Sequence, residues 1–154
     1  EIHMSRIRIV VADQAEAIFY DLSSLKARPT EVARMSDPAA HLHDRDFSSD
    51  RPGRSYESVG GARHAIAREN EPRRREAVKF AKEIAGRLDQ DRRKKEYEQL
   101  IVVAAAPFRS LMRTEFSTDT AACVVHEVPK DLVHSPVEVL CEHLPTTAQE
   151  LKSA

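Results

Sequence analysis

The run Leu100-Ile101-Val102-Val103-Ala104-Ala105-Ala106 carries no polar side chain and is closed by Pro107. It is far shorter than the about 20 apolar residues needed to span a bilayer. Its lack of alternation marks a strand covered on both faces. Such a strand needs layers of structure above and below it, and helices packed on a largely parallel sheet supply them. The expected fold is therefore α/β, with this run at the centre of the sheet.

The flanking segments fit that expectation. Arg6 to Ala12 alternates and then turns apolar, and Glu16 to Leu22 is a second β-prone run. Only Asp13-Gln14-Ala15 separates them, which allows an antiparallel hairpin but not a parallel crossover. Thr30 to Met35, after Pro29, reads as a third strand. From residue 36 to residue 70 no regular period survives: Asp37-Pro38, Arg51-Pro52-Gly53 and Gly60-Gly61 all break structure, predicting a long inserted loop. Asn70 then offers an N-cap and Pro72 a first-turn position, and Ala77, Ala81, Ile84, Ala85 and Leu88 recur at helical spacing. Phe108 to Phe116 reads as a short helix, Ala122 to Val128 as a strand, and Val137 to Leu144 as a final helix after Ser135-Pro136. The predicted order is β-β-β-α-β-α-β-α. It gives a mixed five-stranded sheet flanked by helices, resembling the ribonuclease H-like and ribosomal-protein-like folds.

A length of 154 residues suits one domain, expected over residues 4–145. Glu1-Ile2-His3 before Met4 is read as a vector remnant and residues 146–154 as a tail. With no charged-then-apolar opening segment, the expected setting is cytoplasmic. Cys123 and Cys141 have neither the number nor the spacing of a disulfide or zinc framework and are expected to be buried free thiols.

Charge is unevenly placed. The formal net charge is -1, yet Ala62 to Lys95 holds twelve Lys or Arg against six Asp or Glu, a local +6 that leaves -7 elsewhere. Such segregation suits phosphate contact. With no Trp, 3 Tyr and 5 Phe, the chain lacks the aromatic platforms that stack single-stranded bases. Arg51, Arg54, Arg63, His64 and Arg68 in or beside the loop, Gly60 and Gly61 at its tip, and Arg73 and Arg74 at the start of the helix form the candidate polyanion-binding set.

Catalytic readings fare worse. A metal nuclease needs clustered carboxylates; Asp13 stands at the end of the first strand, but no acid closes the fourth to complete a metal-binding set with Glu76 or Glu83, so Asp13 reads as a turn residue. His41 and His43 beside Asp44 have ligand chemistry but no second cluster. Cys123 and His126, three apart on a strand, point to opposite faces, which disfavours a nucleophile arrangement with Asp131 and His134. Gly60-Gly61 fits no nucleotide-binding fingerprint. No enzyme activity, metal or cofactor is expected.

The chain resembles the bacterial host-attachment proteins, described as required for attachment to host cells. The likeness covers nearly all of Arg6 to Leu144. It rests on Ile9-Val10-Val11-Ala12-Asp13 with Ala17, on Ser49-Asp50-Arg51-Pro52-Gly53-Arg54-Ser55, on Phe80-Ala81, and on Lys130-Asp131-Leu132 leading to Pro136 and Leu144. That family is in turn similar to the central domain of archaeal and eukaryotic release factors and of Pelota. In release factors a Gly-Gly-Gln tip before the long helix positions water for ester hydrolysis. Gly60-Gly61-Ala62 holds the comparable place without the glutamine, so the resemblance implies ribosome or structured-RNA binding without hydrolysis. The other expectation it supports is a protein or polysaccharide interaction factor in attachment.

Overall fold

The computed structural model describes residues 6–40 and 59–151; for residues 59–70 only the backbone is described. The elements are β1 (Ile7–Ala12), β2 (Glu16–Leu22), β3 (Thr30–Ser36), α1 (Val59–Arg93), β4 (Gln99–Val103), α2 (Phe108–Glu115), α3 (Thr118–Ala122), β5 (Val124–Val128) and α4 (Val137–His143). The five strands form one sheet in the order β3-β2-β1-β4-β5. β1 pairs antiparallel with β2 and parallel with β4, β4 pairs parallel with β5, and β2 pairs antiparallel with β3. The expected mixed sheet with helices is the observed one.

The hairpin has a local cause. Asp13 Oδ1 accepts the N–H groups of Ala15 and Glu16, both at 2.8 Å, and the Asp13 N–H donates to the Glu16 carbonyl at 2.9 Å. An aspartate satisfying the backbone two and three residues on is a turn former, and Asp13 has that role here. It seats Ala12 opposite Ala17 and aligns the two strands.

Period-two alternation then sorts the strand residues onto two faces. Val10, Ala12, Phe19, Leu100 and Val102 pack with Phe80, Ile84 and Leu88 of α1 and Phe108 and Met112 of α2. Ile9, Val11, Ile18, Ile101, Val103 and Val125 pack on the other face with Leu132, Val133, Leu140 and Leu144. The apolar run around Leu100 is continuous because each face is covered.

Several boundaries differ from the sequence reading. α1 begins at Val59, so Gly60 and Gly61 lie in its first turn instead of tipping a loop, and Asn70 and Pro72 lie inside the helix. Ala62, Ala65 and Ala67 with Arg63, Arg68 and Glu69 supply helix propensity over this stretch. Glycine costs about 1 kcal/mol within a helix, whereas the first turn has unpaired N–H groups in any case. Residues 38–40 are also helical, with Asp37 Oδ1 accepting the Ala39 N–H at 3.1 Å. The centre of the sheet is β1; the Leu100 run, expected there, is β4, one place out between β1 and β5, and it stops at Val103, while β5 starts at Val124 because α3 intervenes. Ser117 caps α3, its Oγ accepting the Thr120 N–H at 3.1 Å. Residues 148–150 form a 3-10 turn in the predicted tail. Cys123 and Cys141 are free but only half-buried, not core thiols.

At the amino-terminal end of the parallel strands, Tyr97 is 2% exposed and its hydroxyl donates to the Leu88 carbonyl at 2.7 Å. Burial is the largest cause pushing its phenol well above the ordinary value. A raised folded pKa stabilises the neutral form. That contribution is fully present below the unfolded value of about 10 and is lost as pH rises beyond it. In a parallel near-ultraviolet and far-ultraviolet alkaline titration, comparison with Tyr97→Phe should show that the Tyr97 phenolate appears only together with loss of helix signal. A separate Tyr97 ionisation in the intact fold would contradict this.

Candidate functional site

Side chains on α1 divide by helical spacing. Ala77, Phe80, Ala81, Ile84 and Leu88 face the sheet, and this leaves Arg74, Arg75, Lys79 and Lys82 exposed on the outer side. The four cations, with Glu71 and Val78, line a shallow groove of about 400 Å³. None of them is paired with an acid among the described residues. From Arg75 to Lys82 is two turns, about 11 Å along the helix.

The end of α1 is arranged differently. Arg87 holds Asp91 at 2.9 Å, and Arg92 and Arg93 hold Asp89 at 2.8 and 2.9 Å. Asp89 also accepts from Ser117 Oγ at 2.9 Å, which ties α1 to the cap of α3. The hydrogen bonds from Arg92 and Ser117 hold the Asp89 carboxyl below the usual carboxylate range. These cations are engaged in the fold, whereas those between Arg74 and Lys82 remain available.

Arg73 and Arg74 also border a second feature, a cleft of about 620 Å³ at the carboxyl ends of β1, β4 and β5. Asp13 and Gln14 follow β1, Ala105 and Ala106 follow β4, and Asp131 and His134 follow β5, all lining this cleft. His134 Nε2 lies 3.9 Å from Asp13 Oδ2, too far for a hydrogen bond.

Among the sequence-derived candidates, Arg73 is half-buried and Arg74 exposed, side by side on α1. Gly60, Gly61, Arg63, His64 and Arg68 belong to the first part of that same helix. Arg51 and Arg54 lie outside the described residues, as do His41, His43, Asp44, Asp46 and Asp50. Among the described residues no arginine bridges Asp37, whose Oδ2 is buried without a described hydrogen-bond partner. Sequence reasoning about nearby chemistry missed the convergence of Asp13, Asp131 and His134. It grouped the last two with Cys123, which precedes β5 whereas they follow it. A five-residue strand separates them by roughly 16 Å. Cys123 Sγ instead donates to the Asp119 carbonyl at 3.4 Å, and burial pushes its thiol up, away from a reactive thiolate. Among the described residues no cluster of three or more His, Cys, Asp or Glu could hold a metal ion, and no helix is long and apolar enough to cross a membrane.

Residues 8–144 match the model of a family described as "Protein required for attachment to host cells". No curated protein matches the chain.

Proposed function

The chain belongs to the family of proteins required for attachment to host cells, and from that premise we propose that it is a non-enzymatic module that grips structured RNA, foremost the ribosome, in the cytoplasm. The observation that carries this reading is the row of exposed cations Arg74, Arg75, Lys79 and Lys82 with no described acid paired to them. Guanidinium and ammonium groups on a rigid helix suit phosphate oxygens and carry little sequence information. Arg63, His64 and Arg68 continue the basic sequence toward the start of the same helix, and Arg51 and Arg54 precede it.

The resemblance to release-factor and Pelota central domains supports the choice of RNA as the polyanion. Placing Gly60 and Gly61 in a helical turn shifts the contact from a loop tip to a helix face. Ala62 stands where the release-factor motif has glutamine, so no ester hydrolysis is assigned.

The family description favours one other partner class, an acidic protein or polysaccharide at the attachment surface. Affinity capture from lysate with and without ribonuclease separates the two readings. RNA binding predicts that ribosomal components are recovered and that ribonuclease releases them. A partner retained undiminished after ribonuclease would overturn the RNA reading in favour of the other.

A further inference from the structure

The cleft at the carboxyl ends of β1, β4 and β5 plays no part in the binding face just described beyond sharing Arg74. We propose that it is a binding site for a nucleoside monophosphate. This inference goes beyond the RNA reading and does not need it to hold.

Position is the first ground. In open α/β sheets, ligands bind in the crevice outside the carboxyl ends of the parallel strands, where chain segments diverge to opposite faces. Here α2, which follows β4, packs Phe108 and Met112 on one face, while the segment after β5 supplies Leu132 and Val133 to the other. Size is the second: about 620 Å³ lies within the roughly 300–1,000 Å³ of small-molecule sites.

The lining decides the chemistry. Ala77, Phe108 and Leu111 make an apolar wall, Arg74 comes from the α1 side, and Asp13 and Asp131 come from the strand ends. Asp13 spends Oδ1 on the Ala15 and Glu16 N–H groups, and its Oδ2, with His134 Nε2 3.9 Å away and beyond hydrogen-bond reach, can accept from a ligand. Carboxylates repel a phosphate set beside them but accept hydrogen bonds from hydroxyl or amino groups. The site therefore suits a molecule with an anionic group for Arg74, a flat ring for the apolar wall, and hydroxyl or amino donors for Asp13 and Asp131. A nucleotide has these three parts: phosphate, base, and ribose hydroxyls or an exocyclic amine. Inorganic phosphate lacks the apolar part and a nucleoside lacks the anion.

A free nucleotide and the 5′-phosphorylated end of a strand share this chemistry. The chain has no tryptophan, so Gln14→Trp at the cleft mouth provides a single reporter. Adenosine monophosphate should give a saturable fluorescence change, with adenosine and inorganic phosphate at least about tenfold weaker. Arg74→Ala and Asp131→Asn, both at exposed positions, should each weaken the response by about tenfold in the folded reporter protein. A 5′-phosphorylated tetranucleotide that binds about tenfold tighter than the mononucleotide identifies a strand end as the source; equal or weaker binding identifies the free nucleotide. Lys79→Glu with Lys82→Glu, which lie outside the cleft, should leave the mononucleotide response unchanged even where RNA binding is lost, so the two readings fail separately. No saturable response to either nucleotide, or a response indifferent to both Arg74→Ala and Asp131→Asn, overturns the proposal.

Discussion

Replacing Asp91 by alanine is expected to destabilise the fold by about 3–5 kcal/mol, a large part of the 5–15 kcal/mol typical of a domain. Arg8 lies in β1 at 1% exposure, its Nε on Asp21 at 2.6 Å, its Nη1 on Asp91 at 2.7 Å and its Nη2 toward Glu96 at 3.5 Å. Its guanidinium also sits over the Tyr97 ring, 5.5 Å from the centroid. Burial works against the Arg8 charge, and the hydrogen bonds to Asp21 and Asp91 outweigh it, holding the guanidinium above its ordinary pKa. Asp91 is itself 3% exposed and is held from the other side by Arg87. Taking away this carboxylate leaves a buried cation with only partly solvated partners. Thermal unfolding should move down by roughly 6–20 °C at the sensitivity expected for a chain of this size. The paired replacement Arg8→Met with Asp91→Leu removes both charges and should recover most of the loss, since Asp21 and Glu96 are half-exposed and can be solvated. A single Asp91→Ala within about 1 kcal/mol of the native chain would show that the network is not what secures β1 to α1.

The second large effect concerns binding and should leave stability alone. Arg75→Glu, Lys79→Glu and Lys82→Glu together reverse three exposed cations whose side chains touch no described acid. Surface changes of this kind usually shift stability by no more than about 0.5 kcal/mol each, so circular dichroism and the unfolding midpoint should stay close to native. Affinity for ribosomes or a structured RNA should fall by about 10²- to 10³-fold, roughly one decade per lost phosphate contact. An equal triple reversal at Arg87, Arg92 and Arg93 should instead cost stability, because those arginines are held by Asp91 and Asp89. The contrast separates cations that serve the fold from cations offered to a partner.

What could be read in advance follows the distance over which each feature is decided. β2 runs from Glu16 to Leu22 as expected, and its turn depends on one aspartate and the N–H groups two and three residues after it, all local. Both faces of Leu100 to Val103 were legible because so short an unbroken apolar run, closed by proline, suits a strand with packing above and below it. Arg8 was not legible: in an alternating strand it reads as a solvent-facing position, and its partners Asp91 and Glu96 arrive from the last turn of α1 and the segment that follows it. The start of α1 was misplaced because Asn70 and Pro72 make a strong local start signal, while the alanine-rich stretch before them continues the same helix through it. Ser117 with Asp119 two residues on was an available cap signal for α3. Of the candidate site, Arg73 and Arg74 could be placed by helical period alone. The meeting of Asp13, Asp131 and His134 could not, since it requires knowing that β1, β4 and β5 run parallel and end together.

The proposed grip on phosphate is tested most directly by the salt dependence of ribosome or RNA association, measured for the native chain and for the triple reversal at Arg75, Lys79 and Lys82. Phosphate contacts release counterions, so the logarithm of the native association constant should fall linearly with the logarithm of salt concentration, with a slope of about -3 or steeper; the variant's slope should be shallower by about 2 to 3. Identical slopes and affinities for the two proteins would contradict the account.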